Sequence, residues 1–125
     1  MKVLIVDDES SIRELVSDLF LSVGYEVKTE CTVKDAAAVL EKEKFDALWT
    51  DDITPGGMRG MELLERCCRT DSPPIRYIAS GSLNDKEKET ARSSGARGVY
   101  QKPIEVMDVM AQLEKDAASI RTPHQ

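Results

Sequence analysis

Long apolar runs are missing from this 125-residue sequence. The longest span four or five residues, against the roughly 20 needed to cross a bilayer. Met1-Lys2 leads into Val3-Leu4-Ile5-Val6 and then charge, too short an apolar stretch for a secretory signal. Cysteine is scarce: Cys31, Cys67 and Cys68 make an odd number with no C-x-x-C pair. That excludes a disulfide frame and a zinc site of the usual spacing, and implies free thiols in a reducing cytoplasm. Positive charge is short as well, 17 Lys and Arg against 23 Asp and Glu, for a net charge of −6. The basic stripe that a nucleic-acid binder needs for phosphate contacts is absent. Internal repeats, low-complexity tracts and linkers are lacking too. What is present, 41% apolar and 32% charged residues, is the balance of a folded domain rather than a disordered chain. The length suits one core, so one domain is expected over residues 1–118, with a frayed tail at 119–125.

Short apolar runs alternate with longer segments of helical period. Val3-Leu4-Ile5-Val6 is unbroken, the mark of a strand covered on both faces. Ile12, Leu15, Val16, Leu19, Phe20 and Val23 then recur at helical spacing and predict one buried stripe. Ser11 with Glu14 predicts a capping box at the start of this helix, and Gly24 its end. Residues 25–29 alternate, which predicts a half-exposed strand at a sheet edge. Thr32 and Asp35 are expected to cap a second helix with Val33, Ala36, Ala37 and Leu40 inward. A third strand over 45–50 runs into Asp51-Asp52. After Pro55-Gly56-Gly57 a helix from about Gly60 is expected to bury Met61, Leu64 and Cys68. Pro73-Pro74 blocks its extension and opens a fourth strand at 75–79. A polar helix over 84–94 stops at Gly95, a short fifth strand covers 99–101, and a last helix over 105–118 turns Val106, Val109, Met110 and Leu113 inward.

Five β-α units of this kind predict an α/β fold with a parallel sheet and helices on both faces. The edge character of the second strand predicts the flavodoxin-like order 2-1-3-4-5, whose functional crevice lies beyond the carboxyl ends of the strands. There the first strand delivers Asp7, Asp8 and Glu9, the third Asp51 and Asp52, the fourth Ser80, and the fifth Lys102 with Pro103. Strands one and three are neighbours in that order, so Asp7, Asp8 and Asp51 converge although far apart in sequence. Several carboxylates in one cleft repel unless a cation offsets them. Mg²⁺ suits such a set, because it takes a few oxygen ligands and keeps several waters. A carboxylate can form an acyl phosphate when the developing charge is stabilised, and a metal on one side with Lys102 on the other would do so. Ser80 could donate a hydrogen bond to the same phosphoryl group.

With these residues in order, the chain resembles the receiver domain of two-component response regulators over nearly its whole length. The motifs are Val3-Leu4-Ile5-Val6-Asp7-Asp8-Glu9, Asp51 with Pro55 four residues on, Ser80-Gly81, and Gly95-Ala96 followed by Lys102-Pro103. The resemblance implies that Asp51 is phosphorylated, that Asp8 ligates Mg²⁺ directly, and that Asp7 does so mainly through water. It also implies the Ile53 carbonyl as a backbone ligand, Ser80 as the switch hydroxyl, Lys102 as the phosphoryl-binding lysine, and a cis Lys102–Pro103 bond. The donor would be a histidine kinase or a phosphotransfer protein, and the receiving partner a protein docked on helix four, strand five and helix five. Neither nucleic acid nor membrane is expected as a partner. No enzyme activity is expected beyond the domain's own phosphorylation and dephosphorylation, and the chain would act alone or as a piece excised from a longer protein.

Four departures qualify the resemblance. The loop from Pro55 to Gly60 is one residue longer than usual. The position three before the lysine, commonly Tyr or Phe, is Val99, and strand alternation puts Tyr100 on the other face unless the strand slips or bulges. Ile53, two after the acceptor, is bulky and predicts slow self-dephosphorylation. Arg76 interrupts an apolar strand and is expected to snorkel out at its amino end. Asp52 is read as a solvated or capping neighbour, and Met58 and Arg59 as loop surface. Three other readings are weaker. An aspartate-nucleophile phosphohydrolase would need Asp-x-Asp and a cap insert, and a flavin carrier a phosphate-cradling loop where this one is acidic. A receiver-like binding module that switches without phosphate draws support from Val99.

Overall fold

The computed structural model describes residues 1–121, in which strands and helices alternate from end to end. The strands are β1 (Lys2–Val6), β2 (Glu26–Glu30), β3 (Ala47–Asp51), β4 (Ile75–Ser80) and β5 (Ala96–Gln101). The helices are α1 (Ser10–Ser22), α2 (Val33–Lys42), α3 (Gly60–Cys67), α4 (Asp85–Ser93) and α5 (Val106–Arg121). All strand pairs are parallel and the sheet runs β2-β1-β3-β4-β5, as predicted. α5 runs on through residues 119–121, and the rest of the expected tail, 122–125, lies outside the described residues. No helix among the described residues is long and apolar enough to cross a membrane.

Strand alternation sorts the core into two layers. On one face Val3, Ile5, Trp49, Tyr77 and Ala79 pack with Phe20 of α1 and Leu113 of α5. On the other, Leu4, Val6 and Leu48 meet α2 and α3, while Leu64, Ile78 and Ala91 join β4 to α3 and α4. The continuous run in β1 is buried on both sides, as its composition requires. Edge strand β2 is mostly exposed.

Several local expectations need correction. α1 begins at Ser10 after Glu9, with no side-chain cap, so the Ser11–Glu14 capping box does not form. The Asp7 carboxylate instead takes the Glu9 N–H at 2.9 Å, which sets the turn from β1 into α1. Thr32, not Asp35, caps α2 by accepting the Asp35 N–H at 3.1 Å. α3 buries Leu63, Leu64 and Cys67, leaving Cys68 exposed and Met61 only half-buried. α5 buries Val109 and Leu113 but leaves Val106 exposed. β5 starts at Ala96, three residues before the expected strand. A bulge lies between its first pairs, since Arg76 faces Ala96 and Tyr77 faces Gly98. Downstream the register is regular, with Ile78 opposite Val99 and Ala79 opposite Tyr100. Tyr100 therefore stays on the α1–α5 face, where its ring stacks on Trp49 at 5.4 Å, and Val99 packs beneath α4. The bulge does not supply the missing ring.

Gly60 explains why α3 is rotated from the expected face. Its amide donates to the Asp52 carbonyl at 2.7 Å, and a Cβ there would meet the Asp51 carbonyl oxygen at 2.3 Å. The helix start thus rests directly on the end of β3, and that contact, not the apolar period, fixes its rotation. Gly60→Ala is expected to cost about 1–3 kcal/mol, because the obstructing atom is backbone and cannot swing aside. The measurement is a lowered urea midpoint at unchanged slope.

Candidate functional site

The residues predicted to converge do so at the carboxyl ends of β1, β3, β4 and β5. Asp7 follows β1 and is fully buried, Asp8 beside it is exposed, and Asp51 closes β3 with 6% exposure. One oxygen from each of these three carboxylates lies within 4.8 Å of the others. Lys102, just beyond β5, spans the sheet to reach them. Its ammonium donates to Asp7 Oδ2 at 2.8 Å and to Asp51 Oδ2 at 3.1 Å, with Glu9 at 3.8 Å. Backbone hydrogen bonding anchors this lysine, since its N–H donates to the Ser80 carbonyl at 2.9 Å. The Lys102–Pro103 bond is cis. Ser80 is buried at the end of β4, and its Oγ accepts the Ser82 N–H at 3.4 Å. Arg13 of α1 donates to the Asp7 carbonyl at 2.7 Å and holds the acidic turn from the other side.

The electrostatics are those of several carboxylates gathered around one ammonium. Burial raises the Asp51 carboxyl above its ordinary value, although hydrogen bonding and charge from Lys102 pull the other way. Burial alone would lower the Lys102 amine, but its hydrogen bonds to Asp7 and Asp51 and their charges outweigh that and raise it. Burial and the ion pair thus act in opposite senses on Asp51, and the two carboxylates favour the charged form of the amine. One ammonium offsets only part of the charge on Asp7, Asp8, Asp51 and Glu9. Around an octahedral Mg²⁺ with ligands at about 2.1 Å, neighbouring oxygens sit about 3 Å apart and opposite ones about 4.2 Å apart. The acidic triad gathers its oxygens within 4.8 Å, slightly wider than that compass, and offers only hard oxygen donors, so its residues fit such an ion after a small inward adjustment of the side chains.

Asp52, next to Asp51, is not solvated but takes the capping place that was its other expected role. It is fully buried and caps α3, accepting the Met61 N–H at 3.2 Å and an ion pair from Arg59. Arg59 is therefore not plain loop surface. Its side chain also reaches Glu87 of α4 at 3.2 Å, and its backbone bridges that of Ile53. Met58 is half-buried against the α2–α3 core. Thr54, buried in the same loop, accepts the Val33 N–H at 2.8 Å and joins this loop to α2. Arg76 does not snorkel out. It folds over Gly95, with Nη1 3.5 Å from Cys68 Sγ and Nε buried without a hydrogen-bond partner. On the far side of β4 and β5, Asp116 of α5 is buried and receives the Tyr77 hydroxyl at 2.6 Å, Arg97 at 2.9 Å and Gln112 at 3.0 Å. This network fastens α5 to the sheet. Its signal in sequence was only an Asp on an apolar helix face, which spacing alone does not pair.

Comparisons with known proteins agree with this geometry. The pattern described as the response regulator receiver domain matches residues 3–114. Regulatory protein VanRc of Enterococcus gallinarum is 29% identical over 113 residues, 90% of this chain and 48% of that protein. The chain thus spans about half the length of some curated relatives. Chemotaxis protein CheY of Pseudomonas aeruginosa is 32% identical over 120 residues, covering 92% of this chain and 94% of the relative. Among solved structures, a CheY-like receiver domain protein from Methanospirillum hungatei superposes with a TM-score of 0.83 at 24% identity, over 96% of this chain and 95% of the other. That likeness supports the fold. Family match, strand order and the acidic pocket facing one lysine converge: the chain belongs to the response regulator receiver domain family of two-component signalling.

Proposed function

We propose that this receiver accepts a phosphoryl group on Asp51 in a Mg²⁺-dependent reaction and uses it to change a protein-binding face. The observation that carries the reading is the reach of Lys102 across the sheet to both Asp7 and Asp51. In the reaction an Asp51 carboxylate oxygen attacks the phosphorus of a phosphohistidine on a histidine kinase or phosphotransfer protein. The phosphorus–nitrogen bond breaks, and the imidazole takes up a proton as it leaves. Asp7, Asp8, Asp51 and the Ile53 carbonyl would hold Mg²⁺, which supplies Lewis-acid stabilisation of the phosphoryl oxygens. Lys102 leaves its carboxylate partners to meet the same oxygens, and Ser80 donates its hydroxyl proton to one of them.

The readout is the face of α4, β5 and α5. α4 offers only Ala91 as a buried residue, so it is weakly held and suited to move. The test is incubation with a small phosphodonor and Mg²⁺ followed by intact mass. A gain of one phosphoryl is the expected result; an unchanged mass would overturn the reading and favour a module that switches without phosphate. That second reading has one observation of its own, Val99 under α4 where the family commonly places a ring.

Ile53, two residues after Asp51, is 61% exposed, and its apolar side chain would stand near the approach of water to an acyl phosphate. Slow self-dephosphorylation follows, because the nucleophile lacks a polar group to orient it. Ile53→Asn is expected to shorten the lifetime of the phosphorylated protein, followed as loss of the added mass with time. An equal or longer lifetime would count against this role.

A further inference from the structure

With a small Val99 beneath α4, a signal from Asp51 needs another path to that helix, and one is built into the β3–α3 loop. Asp52, the residue after the acceptor, is fully buried and ion-paired to Arg59. Arg59 is also tied by backbone to Ile53. Its guanidinium continues to Glu87 Oε2 at 3.2 Å. Glu87 in turn holds the first turn of α4: it accepts the Asn84 N–H at 3.1 Å, and its own N–H donates to Asn84 Oδ1 at 2.8 Å. One arginine therefore joins the acceptor loop to the capping residues of the movable helix.

We propose that Arg59 is a positioning residue, a tether that holds α4 in its unphosphorylated place through Glu87 and lets go when the acceptor loop is drawn toward a phosphorylated Asp51. The inference rests on the phosphorylation reading above. Its physical basis is geometric. The Ile53 carbonyl is expected to turn toward the metal, Ile53 carries the Arg59 backbone with it, and the guanidinium is anchored more firmly at its buried Asp52 end than at Glu87. The Asp52 carboxylate is fully buried, whereas that of Glu87 is 30% exposed, so the Glu87 contact is the weaker link and yields first.

Glu87→Gln separates the tether from the cap. A glutamine keeps the oxygen that accepts the Asn84 N–H but turns an amide donor toward Arg59, and leaves Asp52–Arg59 intact. Nitrogen–proton spectra of the 125-residue wild type and variant are compared with and without Mg²⁺ and beryllofluoride. In wild type, signals of the pocket (Asp51, Ser80) and of α4 both shift. In Glu87→Gln, the α4 signals are expected to lie near their activated positions before the phosphoryl mimic is added, and the pocket is expected to bind the mimic about two- to fivefold more tightly. Unaltered mimic affinity with α4 shifts equal to wild type would overturn the tether while leaving Asp51 phosphorylation standing. A pocket that fails to respond in wild type would overturn both. Arg59→Gln serves as the second variant: α4 should move in the same direction, and an α4 locked in its unphosphorylated position would refute the proposal.

Discussion

An Asp51→Ala chain is expected to keep the mass of the unmodified protein under phosphodonor and Mg²⁺ conditions in which the wild type should gain one phosphoryl. The expectation is a complete loss, because the neighbouring carboxylates are excluded one by one. Asp52 is fully buried and committed to Arg59 and the Met61 N–H. Asp7 is fully buried too, with one oxygen on the Glu9 N–H and the other on Lys102. Asp8 and Glu9 lie on the exposed turn, where among the described residues no amine comes closer than the 3.8 Å between Lys102 and Glu9. Among these carboxylates Asp51 combines a small exposure of 6%, an ammonium at 3.1 Å and a carboxyl raised by burial, the properties expected of an acceptor. Intact mass with peptide mapping checks the result. A phosphoryl retained at the site after the substitution would show that the geometry misidentifies the acceptor.

The sequence carried the fold because its strongest signals were physically unambiguous. Val3-Leu4-Ile5-Val6 has no polar side, so it belongs at the sheet centre, and the alternating segment before Cys31 belongs at an edge. From that order alone Asp7, Asp8, Asp51, Ser80 and Lys102 come to one end of the sheet, and the structure brings them there. What stayed illegible was decided by contacts between segments distant in sequence. Apolar spacing placed Met61, Leu64 and Cys68 inward, but the seating of Gly60 on the Asp51 carbonyl turned the helix toward Leu63 and Cys67. The start of β5 was missed because Ala96, Arg97 and Gly98 lack strand-forming character. They pair through the bulge and through Gly98, whose missing side chain leaves room for the Tyr100 ring that would otherwise lie 2.6 Å from a Cβ. Arg59 read as surface since a charge in a glycine-rich loop usually is. Its partners, the buried Asp52 and Glu87 of α4, become visible only in the folded structure.

Lys102→Ala is expected to slow phosphoryl gain by about 10²–10³, the usual consequence of removing one donor aimed at developing oxyanion charge. Slower gain alone would not separate a catalytic loss from a damaged fold, so a second sign matters more. Before phosphorylation the ammonium lies between Asp7 and Asp51, at 2.8 and 3.1 Å, and competes with a divalent cation for the same carboxylates. Removing it leaves Asp7 and Asp51 facing each other unneutralised, which makes the pocket a stronger cation site and the metal-free fold a weaker one. The alanine variant should therefore bind Mg²⁺ more tightly than wild type while gaining phosphoryl more slowly, and its stability should depend more steeply on Mg²⁺. Titration calorimetry and thermal melts with and without the ion measure both. Lys102→Arg restores the charge but not the shape, since a planar fork cannot stand as a point charge between two carboxylates. It is expected to recover the metal-free stability and little of the rate. Tighter Mg²⁺ binding with an undiminished rate would assign the lysine to structure; weaker Mg²⁺ binding would place the cation elsewhere than among Asp7, Asp8 and Asp51.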